Sequence, residues 1–113
     1  MARLTLKNEG FPYKNIYSGR QKVGRVFKHQ VTGKYHGIIQ PHEEIADTEN
    51  QAFHLVAIKS FGYKSPQEYA QAMANQRARN RADRARVNEA ARRYLSAQTM
   101  DERWAALDMI FKL

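Results

Sequence analysis

The sequence predicts an α+β fold: a small antiparallel β-sheet packed on a buried helix, followed by a long basic helix and a short C-terminal helix. Two observations predict it. β-Branched and aromatic residues form a turn-linked pair of runs in residues 22–40, whereas capped, helix-favouring segments follow. At 113 residues the chain has the length of a single domain, 1–113, with a β-rich part at 1–47 and a helical part at 48–113.

The first strand is predicted at residues 3–7, where Leu4 and Leu6 alternate with polar residues. The stretch that follows, residues 11–19, has a proline and a glycine near its ends and is predicted to be an irregular arm or loop. Its aromatic rings either pin the arm to the protein or stack on nucleobases. These rings belong to Phe11, Tyr13 and Tyr17.

The two strands of a β-hairpin are predicted at residues 23–29 and 34–40, since both segments are rich in β-branched and aromatic residues. Gly33 in the connecting turn supplies the positive φ that such a turn needs. Pro41 ends the second strand because it has no backbone N–H to donate. Residues 42–46 form a connector that holds either a short extra strand or a turn.

The first helix is predicted to begin after Thr48, because Gln51 stands three residues later and completes a capping box. It extends to about Phe61, and Gly62 stands where a C-terminal cap belongs. Apolar residues lie nearly all round this helix, so we expect it to be buried.

A second helix begins at Pro66, which follows a serine cap. Its apolar face thins to alanines in the middle and then returns. The helix therefore either runs unbroken to about Ala97 or breaks near Asn75 or Asn80. A capping box that starts at Thr99 opens the short C-terminal helix, whose apolar stripe is either the lid of the core or a homodimer face.

Residues 76–93 are the most distinctive segment of the chain, with seven arginines against only Asp83 and Glu89. Alanines separate the charges and no Gly or Pro interrupts them, so a helix is favoured. One side of it would carry Arg77, Arg81 and Arg84, and a second row would carry Arg79, Arg86 and Arg93. Since guanidinium groups pair bidentately with phosphate, the segment predicts a polyanionic partner.

A second basic patch is predicted on the hairpin. Its proposed nucleic-acid-binding residues are Arg25, Lys28 and Lys34. Arg20 and Lys22 lie nearby, and Phe27, Tyr35, His29 and His36 are interleaved with the cations. A two-stranded ribbon fits the major groove of DNA, although lysines on a sheet edge also serve simply to keep it from aggregating.

The net charge of +8 fits nucleic acid, an anionic membrane surface or an acidic protein groove. The sequence contains no cysteine, which excludes disulfides and cysteine-based zinc sites and suits a cytoplasmic protein. No apolar run approaches the roughly 18 residues that span a bilayer, so no membrane partner is expected. The four histidines have no metal-motif spacing, and no catalytic motif is present; the sequence therefore predicts no metal, cofactor or enzymatic activity.

Residues 24–39, GRVFKHQVTGKYHGII, resemble the strand–turn–strand of AP2-type DNA-binding domains, with a Gly that opens one strand and a Gly-Lys-aromatic step that opens the next. Residues 48–62, TENQAFHLVAIKSFG, are similar to the helix that backs that sheet. The resemblance implies a three-stranded sheet on one helix, with the sheet face in the major groove. By the same analogy, Arg25 and Lys28 contact DNA and Tyr35 stands where the family has a tryptophan.

Taken together, the sequence predicts a non-enzymatic nucleic-acid-binding protein, with double-stranded DNA favoured over RNA. The alternative is a small regulator or inhibitor, of the kind encoded by phages, that binds an acidic surface of a protein partner.

Overall fold

The computed structural model describes residues 4–75 and 81–112. Its chain divides into two compact units, Met1–Gly62 and Tyr63–Leu113. The first unit contains an antiparallel sheet and one helix, and the second contains three helices. The predicted α+β class is therefore confirmed.

The sheet is a five-stranded meander in which each strand pairs antiparallel with the next along the chain. Its strands are β1 (Leu4–Lys7), β2 (Tyr13–Ser18), β3 (Gln21–Lys28), β4 (Tyr35–Ile39) and β5 (His42–Ala46). The predicted first strand and hairpin are confirmed. Of the two alternatives for residues 42–46, the structure contains the strand.

The prediction of an irregular arm at residues 11–19 was wrong, because most of that stretch is β2. Pro12 precedes the strand and Gly19, with φ of 62°, turns the chain after it. Between them β2 pairs with β3 along its whole length and with β1 from Asn15 to Ser18. These long-range pairings decided a stretch whose local signals were those of a loop.

The helix α1 (Glu49–Ser60) covers one face of the sheet, against β3, β4 and β5. Its cap is as predicted: the Thr48 hydroxyl accepts a hydrogen bond from the Gln51 backbone N–H at 3.2 Å. Gly37 of β4 lets the helix approach closely, since a Cβ there would lie 2.6 Å from the Ala52 carbonyl oxygen. The covered face is the core of this unit, with Ile16, Val26, Gly37, Ile39, Val56 and Ile58 all buried.

The second unit consists of α2 (Pro66–Asn75), α3 (Arg81–Ser96) and α4 (Met100–Lys112). Two predicted caps are confirmed: the Ser65 hydroxyl accepts from the Glu68 N–H at 3.1 Å, and the Thr99 hydroxyl accepts from the Glu102 N–H at 3.2 Å. The helix α3 packs against both α2 and α4. The buried side chains of this unit are Tyr69, Ala70, Met73, Ala90, Ala91, Ala106, Leu107 and Ile110.

The packing of α3 against α2 decides between the two alternatives for the basic segment. In one straight helix, two residues six positions apart are already about 9 Å apart along the axis, so the part after residue 81 would have no lateral contact with the part before residue 75. Because α2 and α3 do pack together, they are two helices rather than one. Residues 76–80 lie outside the described part of the chain. Within that part, no helix has both the length and the apolar character needed to cross a bilayer.

Candidate nucleic-acid interface

The sheet face opposite α1, here called the outer face, carries a row of rings. In the strand register Tyr13 lies opposite Phe27, Phe27 opposite His36, and His36 opposite Ile45. Because successive side chains alternate between the two faces of a sheet, these four residues point away from the covered core face. They form a continuous line across β2, β3, β4 and β5, which we call the aromatic row.

Ring contacts occur toward both ends of this row. Phe27 and His36 stack with centroids 5.2 Å apart, and His29 lies 5.3 Å from His36. At the other end, Phe11 stacks on Tyr13 at 5.2 Å with only 5° between the ring planes. Glu43 of β5 is hydrogen-bonded to the His36 Nδ1 at 2.9 Å. The aromatic surface therefore extends from the β1–β2 loop across most of the sheet.

Cations lie against these rings. The Arg25 guanidinium is 5.6 Å and the Lys22 ammonium 5.7 Å from the centroid of the Tyr13 ring. On β1, the Lys7 ammonium is 5.0 Å from the Tyr17 ring. Cation–π contacts of this kind contribute about 0.5–1 kcal/mol at exposed sites and hold the long side chains over the rings. The outer face thus combines aromatic surface with three positioned positive charges.

The charges of the first unit are distributed unequally between its surfaces. Lys14 pairs with Glu49 at 2.5 Å, Lys59 with Glu44 at 3.8 Å and Lys34 with Asp47 at 2.8 Å. Among the described residues of this first unit, the lysines and arginines that take part in no ion pair are Lys7, Arg20, Lys22, Arg25 and Lys28. Three of these, Lys7, Lys22 and Arg25, lie against the rings of the outer face, so that face presents cations that are not held in ion pairs.

Two shallow depressions flank Arg25. One is lined by Pro12, Tyr13, Arg25, Phe27, Lys28 and Gln30, and the other by Lys22, Val23, Gly24, Arg25, Ile38 and Gln40. Each therefore combines apolar surface with at least two cationic side chains. Arg25 is exposed and shared by both depressions, which makes it the central cation of this surface.

The loop between β1 and β2 is fastened to the outer face by Glu9. Its carboxylate accepts hydrogen bonds from the Tyr17 hydroxyl at 2.6 Å and from the Asn15 side-chain amide at 2.9 Å. The hydrogen bond from Tyr17, and to a smaller extent the one from Asn15, lowers the pKa of Glu9. The hydrogen bond to Glu9 in turn raises the pKa of Tyr17. Gly10, with φ of 85°, then turns the chain toward Phe11.

The predicted hairpin residues fall into two groups. Arg25 and Lys28 are exposed and line one depression on the outer face. Lys34 instead lies in the turn between β3 and β4, and its ammonium is paired with the Asp47 carboxylate, which partly neutralises its charge. Lys7 is a cation of this face that sequence reasoning missed, because the pairing of β1 with β2, which brings it beside Tyr17, is not visible in the local pattern.

The predicted residues of the basic helix are described unevenly. Arg77 and Arg79 lie outside the described residues. For Arg81 and Arg84 the structure gives only the backbone, which belongs to the first turn of α3. Arg86 is exposed on α3.

One arginine of the second predicted row is held by an internal partner. The Arg93 guanidinium is paired with the Glu89 carboxylate, one turn earlier, at 2.7 Å. Arg86 carries no ion pair among the described residues. The row is therefore partly neutralised at its C-terminal end.

Comparison of the chain with protein-family models, with curated proteins and with solved structures gives no match. The geometry and charge of the surfaces described above are therefore the basis on which a function is inferred.

Proposed function

We propose that the protein binds nucleic acid, without catalysing a reaction on it, through the outer face of its sheet. The observation that carries this proposal is that paired and unpaired cations lie on different surfaces of the Met1–Gly62 unit. Three of its lysines, Lys14, Lys34 and Lys59, form ion pairs with carboxylates elsewhere. In contrast, Lys7, Lys22 and Arg25 lie against aromatic rings and form no ion pair. The cation–π contacts also stabilise the sheet, but they leave these three cations without a carboxylate partner in an ion pair. A nucleic acid offers both phosphates for the cations and planar bases for the rings.

The basic helix supports the same proposal as a second contact region. The Tyr63–Leu113 unit carries ten Lys and Arg against six Asp and Glu, and seven of those cations lie in residues 76–93. Arg86, exposed and unpaired in the described part of α3, is its best-defined candidate. Among duplexes, double-stranded DNA is tested before double-stranded RNA, because a β-ribbon with outward basic residues fits the major groove of DNA.

The test is a salt series of binding measurements on labelled single-stranded and duplex DNA of equal length. The outer-face variant is Lys22→Ala with Arg25→Ala. Its matched control is Lys14→Ala with Lys59→Ala, which removes the same charge from side chains that pair with carboxylates on or near α1. Circular dichroism confirms that both variants are folded.

If the outer face holds phosphates, its variant flattens the slope of log affinity against log salt by about 1.4 on single strands or about 1.8 on duplex DNA. The control variant changes the slope much less. Equal slopes for the two variants, or no binding by the wild-type protein, would overturn the proposal. In that event the acidic-protein partner is tested by capture from lysate with and without nuclease, since nuclease abolishes only contacts that nucleic acid bridges.

A further inference from the structure

The β1–β2 loop holds an aromatic ring with one open face. Phe11 and Tyr13 stack with centroids 5.2 Å apart and planes within 5° of parallel, so the rings are offset and Tyr13 covers part of one face of the Phe11 ring. Phe11 is nevertheless 54% exposed, which makes it one of the most exposed large apolar residues among those described. Since one face is partly covered, the exposed area belongs mainly to the other face and to the edges. The stack therefore ends in an open ring face.

The loop holds this ring in place before any ligand arrives. The Asn8 side-chain oxygen accepts a hydrogen bond from the Gly10 N–H at 3.1 Å, and Glu9 is bonded to Tyr17 and Asn15 on β2. Both neighbours of Phe11 are conformationally special, with positive φ at Gly10 and a fixed φ at Pro12. A ring held this way loses little conformational entropy when it binds, and such preorganisation strengthens binding.

Positive charge adjoins the stack. The Lys22 and Arg25 cations lie within 6 Å of the Tyr13 ring, on which Phe11 is stacked. These cations belong to the same sheet face as the stack, so they are available to phosphates of a strand that places one base on the open face of Phe11. A nucleotide has this combination of planar ring and phosphate.

We infer that Phe11 stacks on an unpaired nucleobase, while Lys22 and Arg25 hold phosphates of the same strand. This inference deepens the proposed function and depends on it. Inside a duplex both faces of each base are already stacked on neighbouring bases, so the open face of Phe11 has no free base face to contact. The stack therefore selects single-stranded nucleic acid, or a base that is flipped or looped out, over an intact duplex.

The test compares the affinities of wild-type and variant proteins for two single-stranded ligands. The ligands are an oligothymidine of about 12 nucleotides and an abasic strand of the same length, which has the same phosphates without bases. Wild-type protein binds the oligothymidine more tightly than the abasic strand, by about 5- to 150-fold for one stacked base. Phe11→Ala loses most of that preference but keeps its affinity for the abasic strand. Lys22→Ala with Arg25→Ala weakens the binding of both strands.

Three further variants separate stacking from apolar contact and from misfolding. Phe11→Leu retains apolar surface without a ring and behaves like Phe11→Ala. Phe11→Trp retains the preference, and its fluorescence is quenched by oligothymidine beyond any change shown by the native Trp104 in the wild-type protein. Met100→Ala removes a 57% exposed apolar residue of α4, which is not part of the sheet, and leaves the preference intact.

The inference fails if wild-type protein binds the abasic strand as tightly as oligothymidine, or if Phe11→Ala still prefers bases. Either result leaves the proposed function standing, provided that the Lys22 and Arg25 substitutions still weaken binding. Loss of all binding by the wild-type protein would instead overturn both.

Discussion

The Tyr17 hydroxyl donates a hydrogen bond of 2.6 Å to the Glu9 carboxylate, and this contact joins the β1–β2 loop to the C-terminal end of β2. Asn15 donates a second hydrogen bond to the same carboxylate oxygen, at 2.9 Å. The position of Phe11, two residues beyond Glu9, therefore depends on a contact between two ionisable groups. That dependence gives the outer face a defined response to pH.

The Glu9–Tyr17 pair is expected to stabilise the protein only within a window of pH. The pKa of Glu9 is lowered from its ordinary 4.5, so its contribution is present above 4.5 and is lost as the pH falls through the lowered value. The pKa of Tyr17 is raised from its ordinary 10.0, so the contribution is lost as the pH rises through the raised value. We expect the difference in unfolding free energy between wild type and Tyr17→Phe to be largest between these limits.

Urea unfolding at a series of pH values measures this difference. Phenylalanine keeps the ring beneath Lys7, so the substitution removes the hydroxyl contact and little else. Tyr13→Phe is the matched control, because Tyr13 lies in the same strand and faces the same side of the sheet. A difference that does not vary with pH would show that the hydrogen bond contributes nothing to stability.

Gly37→Ala is expected to destabilise the protein by about 1–3 kcal/mol, as overpacking of a core does. The added Cβ would lie 2.6 Å from the Ala52 carbonyl oxygen and 3.0 Å from a Val56 methyl group, so α1 has to move away from the sheet. Without that contact, replacing Gly by Ala would stabilise the protein slightly by restricting the unfolded chain. The sign of the change in unfolding free energy thus tests the close packing of helix on sheet, with Thr5→Ala on the exposed side of β1 as control.

Lys34 is expected to contribute less to nucleic-acid binding than Lys28, although both belong to the predicted basic hairpin. Lys34 is paired with Asp47 at 2.8 Å, whereas Lys28 has no ion pair among the described residues. Lys28→Ala should flatten the salt dependence of binding by nearly one unit of slope, and Lys34→Ala by less. In an Asp47→Asn background the effect of Lys34→Ala should grow toward that of Lys28→Ala. Equal effects in both backgrounds would mean that the ion pair does not form in solution.

Arg86 and Arg93 provide the corresponding comparison on α3. Both are exposed, and Arg93 is paired with Glu89 one turn earlier. Arg86→Ala should weaken nucleic-acid binding more than Arg93→Ala. The latter should instead cost about 0.3–0.5 kcal/mol of unfolding free energy, the usual contribution of such a pair on a helix surface. Binding measured in a salt series and thermal unfolding of both variants distinguish these outcomes, and identical losses of affinity would count against partial neutralisation of the row.

The amino-acid sequence alone determined where α1, α2 and α4 begin. Thr48, Ser65 and Thr99 were recognisable as caps because a cap is a contact between residues three positions apart, and its chemistry is complete within one turn. The β3–β4 hairpin was recognisable for a similar reason, since its register is set by the turn that ends at Gly33.

Tertiary structure decided everything that depends on partners distant in the chain. The strand β2 exists because β1 and β3 pair with it, and only that pairing places Tyr13 opposite Phe27 and Lys7 beside Tyr17. Which cations are free was likewise decided in three dimensions, since Lys34 meets Asp47 thirteen positions away while Arg25 meets a ring. The sequence determines which side chains are charged. Whether a charged side chain is neutralised by a partner depends on distances that only the folded chain sets.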